Sequence, residues 1–227
     1  MRSLLPVTLT WRQVLSFGPA ASSPAMLQSE VHDTWRLHDG TAVTLRAARE
    51  DDGELMQAFV RGLSQESRYH RFFYPAHELP PKMLDRFTHN APAAAMTLLA
   101  FIQRQGREVM IAMAQYAADP YPERCDFAVV VGDAWQREGL GTRLIQTLVC
   151  IAREAGFERV EGDILAENRA MLRLMSRMGF RLMQHEDGPT LVRATKALDV
   201  PGWKCSPLTA LAKAGNQGSR MPSAACA

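Results

Sequence analysis

One stretch limits what this chain can fold into more than any other. An apolar, β-branched run, Val129-Val130-Val131, stops at the turn Gly132-Asp133, and Gln136-Arg137-Glu138-Gly139-Leu140-Gly141-Thr142 follows. From Gly139 to Ala155 the apolar residues Leu140, Leu144, Ile145, Leu148 and Ile151 recur at helical spacing. A strand that turns directly into a helix aims several backbone N–H groups at one point, with the positive end of the helix dipole behind them. That is an anion site, and phosphate is its usual guest. Gly139 and Gly141 leave the backbone open to close approach because neither carries a Cβ. A Walker loop needs Gly-Lys-Ser/Thr, whereas Gly141 is followed by Thr142-Arg143. A dinucleotide loop needs a third glycine where Leu144 stands.

The pattern that fits is Gln-x-x-Gly-x-Gly, matched by Gln136 to Gly141. It resembles the pyrophosphate loop of the GNAT acyltransferases, which bind acetyl-CoA. A second stretch, Asn168-Arg169-Ala170-Met171-Leu172-Arg173-Leu174-Met175-Ser176-Arg177-Met178-Gly179-Phe180, resembles the second CoA-side motif of that superfamily, where an Asn opens a helix ending in Gly-Phe. The residues agree with this reading. Asn168 is a good N-cap, Ala170, Met171, Leu174, Met175 and Met178 share one face, and Gly179 suits a helix C-terminus.

The resemblance implies a mixed α/β sheet with helices on both faces and two central strands splayed like a V. The pantetheine arm of CoA would lie in the gap and borrow backbone hydrogen bonds as an added strand does. The expected acetyl-CoA contacts are Val129, Val131 and the loop residues Gln136, Arg137, Glu138, Gly139, Leu140, Gly141 and Thr142. An N–H near Val129 would polarise the thioester carbonyl. Arg137 and Arg143 flank the loop as candidate phosphate partners or surface charges. Asn168 would bond the pantetheine arm, cap its helix, or do both. Arg169, Arg173 and Arg177 recur every four residues opposite the apolar face and read as a solvated stripe.

The 227 residues suit one domain with tails, and the 47% hydrophobic content supports a sizeable core. Residues 1–33 read as a disordered leader, 34–197 as the folded domain and 198–227, without periodicity, as a flexible tail. Expected strands are 41–46, 96–103, 108–118, 126–131, 159–165, 180–184 and 190–195. Expected helices cover 50–63, 64–73, 82–89, 139–155 and the segment opened by Asn168. A net charge of +2 argues against nucleic-acid binding. No apolar stretch reaches membrane-spanning length, and a cytoplasmic location is the default expectation. The six histidines show no metal-ligand spacing, so no metal is expected.

An amine of pKa ~10.4 is protonated at neutral pH and must lose a proton before it can attack. Asp126, at the start of the strand leading to the loop, is the candidate base; otherwise it is a solvated carboxylate at a strand edge. Cys125-Asp126-Phe127-Ala128-Val129-Val130-Val131 resembles a stretch of bacterial Pat-type protein lysine acetyltransferases. That family carries Glu where this chain has Asp126, so the shorter side chain calls for a bridging water. Leu63-Ser64-Gln65-Glu66-Ser67-Arg68-Tyr69-His70-Arg71-Phe72-Phe73 is a second point of resemblance, on the side expected to wall the acceptor pocket. Many GNAT enzymes place a Tyr on the second-motif helix to protonate the leaving thiolate; Met175 stands there in this chain. The resemblance runs from about Trp35 to Leu198. It implies an enzyme that moves an acetyl group from acetyl-CoA to an amine. A protein lysine is the first choice, on a partner such as an acyl-CoA synthetase. A small-molecule amine acetyltransferase and a non-catalytic acetyl-CoA-binding module are the rivals.

Overall fold

The structure, a computed structural model, describes residues 32–121 and 123–198. One eight-stranded mixed sheet runs in the order β1-β2-β3-β4-β5-β6-β8-β7. The strands are β1 (His32–Arg36), β2 (Ala42–Ala47), β3 (Ala95–Arg104), β4 (Arg107–Ala118), β5 (Arg124–Val131), β6 (Arg159–Leu165), β7 (Arg181–His185) and β8 (Gly188–Ala197). Helices α1 (Gly53–Gly62), α2 (Gln65–Phe72) and α3 (Pro81–Thr88) lie between β2 and β3. Helix α4 (Leu140–Glu154) connects β5 to β6, and α5 (Arg169–Arg177) connects β6 to β7. This is the mixed α/β architecture the sequence motifs imply.

Two apolar cores lie on the two faces of the sheet. Leu140, Leu144, Ile145 and Leu148 of α4 and Met175 of α5 join Phe127, Val160 and Ile164 in one. Met56, Phe59 and Val60 of α1, with Phe72 of α2 and Phe87 of α3, pack on Leu99, Met113 and Val130 in the other. Alternation along β5 serves both, since Phe127 and Val130 point to opposite faces. The β3–β4 hairpin turns at Gln105 and Gly106, whose φ values of 50° and 73° are the left-handed pair that a two-residue turn requires. No helix of the described residues is long and apolar enough to cross a membrane.

The strand that places the site is β5. It pairs antiparallel with β4 as far as Val131, but parallel with β6 only over Arg124–Arg159, Cys125–Val160 and Asp126–Glu161. Beyond Asp126 the two strands part, leaving one edge of β5 without a strand partner.

Two expectations change. The domain begins earlier than 34, because β1 starts at His32 and pairs with β2 from His32–Arg46 to Arg36–Ala42. The helix expected from Glu50 starts as a separate 3-10 turn, Glu50–Asp52, before α1. The cause is Asp52, whose buried carboxylate takes two hydrogen bonds from Arg46, at 2.6 and 2.7 Å, and one from the Arg49 N–H at 2.7 Å. Apart from residues 32, 33 and 198, the leader expected over 1–33 and the tail expected over 198–227 lie outside the described residues.

Candidate active site

A cleft of about 760 Å³ opens where β5 and β6 part, walled by α2, β5, the loop before α4, β6 and α5. Its loop end follows from local backbone. Arg137, at φ 68°, and Gly139, at φ 82°, both take left-handed conformations, so the chain turns twice within three residues and enters α4. Only the second of these is held by glycine. No side chain caps α4. The amides of Leu140, Gly141 and Thr142 precede the first intrahelical bond, from Arg143 N–H to the Gly139 carbonyl at 3.1 Å, and have no acceptor within the helix. Gly141 has a further role, since a Cβ there would stand 3.3 Å from Leu174 Cδ2. Its bareness lets α5 lie close against α4 as well as leaving room for a guest.

Asp126, Val129, Val131, Gln136, Arg137, Gly139, Gly141, Thr142 and Asn168 all line the cleft. Glu138 is half-buried beside it, and the Leu140 side chain lies in the core, leaving only its backbone toward the loop. Arg143 belongs elsewhere. Its guanidinium donates to Asp33 Oδ2 from Nε at 2.8 Å and lies 4.4 Å from the centre of the Trp35 ring. It therefore fastens α4 to β1 instead of facing a phosphate. Arg143→Ala is expected to lower stability by about 1 kcal/mol and to leave the KM for acetyl-CoA within about twofold. Thermal melts and steady-state kinetics check the two halves, and a large rise in KM would return Arg143 to the cleft.

Asn168 accepts from the Met171 N–H at 3.1 Å, so capping is a role it holds in the structure. Met175 is fully buried, while Ala170, Met171 and Leu174 face the cleft. The apolar face of α5 is thus divided between the core and the opening.

Gln136 is expected from the sequence as a ligand contact, whereas nothing in the sequence points to Asp133. Ser64 caps α2 by accepting from the Ser67 N–H at 3.1 Å. Its own N–H and hydroxyl donate to Asp133 at 2.8 and 2.7 Å, as does the Ser67 hydroxyl at 2.7 Å. Gln136 Nε2 then donates to Ser67 Oγ at 3.2 Å and to the Val131 carbonyl at 3.3 Å. Partial burial works against the Asp133 charge, yet these Ser64 and Ser67 donors hold its carboxyl below the usual range. The network laces α2 to the loop across nearly seventy residues, and no local pattern announces it. Ser64→Ala removes a cap and one Asp133 donor. The expected cost is about 1–2 kcal/mol, seen as a fall in Tm of roughly 3–6 °C; an unchanged Tm would show the lacing to be slack.

At the other end stands Asp126, half-buried at the last position where β5 pairs with β6. Burial, with the charges of Asp119 and Asp163 next in weight, pushes its carboxyl up to about 7, and Arg193 pulls the other way. Arg193 donates to both oxygens of Asp163, at 2.5 and 3.2 Å. A carboxyl with this affinity for protons, open to a cleft, can accept a proton near neutral pH. Tyr116 is no alternative acid for a leaving group, because it is buried and donates its hydroxyl to the Pro92 carbonyl at 2.7 Å.

Comparison with known proteins agrees with this geometry. Residues 57–180 match the family model described as "Acetyltransferase (GNAT) family". Acetyltransferase PA5475 of Pseudomonas aeruginosa is 32% identical over 162 residues, which cover 70% of this chain and 87% of that protein. Among solved structures, the GNAT domain of S. lividans PAT superposes with a TM-score of 0.66 at 27% identity, covering 78% of this chain and 99% of that domain. The acetyltransferase yncA of Salmonella typhimurium, solved with acetyl-CoA as its cofactor, shares the fold with a TM-score of 0.55 at 20% identity, covering 70% and 96%. Splayed strands, an uncapped helix behind a left-handed glycine, and these likenesses lead to one conclusion: this chain belongs to the GNAT acetyltransferase family.

Proposed function

We propose that the protein transfers the acetyl group of acetyl-CoA to the side-chain amine of a protein lysine. The observation that carries this reading is Asp126: a carboxyl raised to about 7, placed where β5 and β6 part, in the same cleft as the α4 N-terminus. The diphosphate of CoA meets the loop from Gln136 to Thr142 and the first-turn amides of α4. The pantetheine arm lies along the unpaired edge of β5, near Val129 and Val131, with Asn168 beside it. A lysine ammonium gives its proton to Asp126 through a water. The freed nitrogen attacks the thioester carbonyl, whose developing negative charge a backbone N–H near Val129 stabilises. The C–S bond then breaks and CoA leaves as thiolate. With Met175 in the core and no Tyr on α5, no side chain of that helix protonates the thiolate. A thiol of pKa ~8.5 can depart unprotonated, helped by a helix N-terminus or water.

Two observations support a lysine acceptor. The 27% identity to the PAT domain extends over 99% of that domain, and Asp126 and Asp163 line the acceptor end with carboxylates that suit a cation. Acetyl-CoA labelled in the acetyl group, offered to panels of proteins and of free amines, tests the reading. Label on protein lysines is the expected result. Label on free amines alone would overturn the protein acceptor, and tight CoA binding with no transfer to any amine would overturn the catalysis.

A further inference from the structure

The arginine stripe of α5 does not face bulk solvent alone. Arg169, Arg173 and Arg177 are exposed, yet all three line the cleft that holds Gly139, Gly141 and Thr142, and Arg137 of the loop joins them. None of the four guanidiniums makes a hydrogen bond or ion pair with any described residue. Five arginines outside the cleft are paired: Arg46 with Asp52, Arg61 with Glu54, Arg124 with Asp119, Arg143 with Asp33 and Arg193 with Asp163. Four cations lining one cleft repel one another unless an anion lies among them. Of the carboxylates in the cleft, Asp126 and Asp163 sit on the strands, and Glu66, Asp133 and Glu167 form no ion pair with these arginines.

The α4 amides and the loop backbone suit a diphosphate, but CoA carries a third phosphate, a monoester dianion on its ribose. We infer that Arg173 and Arg177, with Arg137 across the cleft, seat the 3′-phosphate of CoA, so that the protein discriminates CoA from its 3′-dephospho form. This rests on the acetyl-CoA reading above. Arginine matches the ligand because its planar fork gives a phosphate two parallel donors. Placement on one helix at a spacing of four puts successive forks on the same face, about one turn apart.

Titration calorimetry with CoA and with 3′-dephospho-CoA tests the inference. The wild type is expected to bind CoA at least about tenfold more tightly, with the advantage shrinking as salt rises. In the double variant Arg173→Gln, Arg177→Gln, CoA should fall to the affinity of the dephospho form, whose own binding stays near the wild-type value. Both residues are exposed, so the variant keeps its fold, which circular dichroism verifies. Equal binding of the two ligands by the wild type would overturn the inference. So would an equal loss for both ligands in the variant, which would assign the stripe to the diphosphate. If the wild type binds neither ligand, the acetyl-CoA reading itself fails.

Discussion

Replacing Asp126 by Asn is expected to lower kcat by ~100-fold or more while leaving acetyl-CoA affinity nearly intact. The amide cannot take a proton, but it keeps the shape of the side chain, and the loop proposed to hold CoA lies at the other end of β5. The wild-type kcat should climb through pH 7 and level off above it, because the base works only once its carboxyl, raised to about 7 by burial and by Asp119 and Asp163, has ionised. The variant should lose that limb. A stability change of the opposite sign should accompany the loss. The native protein holds the Asp126 proton up to about pH 7, whereas an unfolded chain releases it near the ordinary aspartate value of 3.8. Through this group, stability falls as pH rises across that window and remains low above it. Asn does not ionise, so the variant should be more stable than wild type by about 1–3 kcal/mol at pH 8 and little changed at pH 4. Melting curves at both pH values, beside the kinetics, separate a catalytic base from an ordinary carboxylate. Unchanged turnover would remove Asp126 from the mechanism.

The second large effect is steric. A Cβ on Gly162 would lie 2.6 Å from Phe127 Cε1, 2.9 Å from Cδ1 and 3.0 Å from Cζ. The Phe127 ring cannot easily retreat, because its centre is 5.3 Å from that of Phe180 within the core. Gly162→Ala should therefore cost about 2–4 kcal/mol and lower Tm by roughly 5–15 °C. Adding Phe127→Leu to that variant should return part of the loss, with a coupling energy above about 1 kcal/mol. Strictly additive melting data would show that ring and glycine do not meet. The contact matters because both residues stand one position past Asp126–Glu161, the last parallel pair. The ring fills the place of a side chain on β6 just where the strands begin to part.

Helices α4 and α5 were legible because each is written within a few neighbouring residues, by period, by the Asn168 cap or by a glycine at a helix end. Strand β1 was not. His32-Asp33-Thr34-Trp35-Arg36 shows no apolar alternation, and the partner of Asp33 is Arg143, 110 residues further on. The same distance explains why Arg143 looked like a phosphate ligand: its place beside the loop is local, whereas its partner is not. Nothing local marks Gly162, since only the fold brings Phe127 across it. For the arginine stripe, spacing indicated a shared face but not which surroundings that face would meet.

The lacing of Ser64 and Ser67 to Asp133 and Gln136 has a consequence for the order of events. The wall proposed to receive the nucleophile and the bend proposed to receive the nucleotide share one set of hydrogen bonds, so immobilising the bend also immobilises the wall. The entropy of ordering both is then lost when the first substrate docks, and the second arrives at a rigid surface. Steady-state patterns should accordingly show a compulsory sequence, with the thioester carrier entering first and departing last.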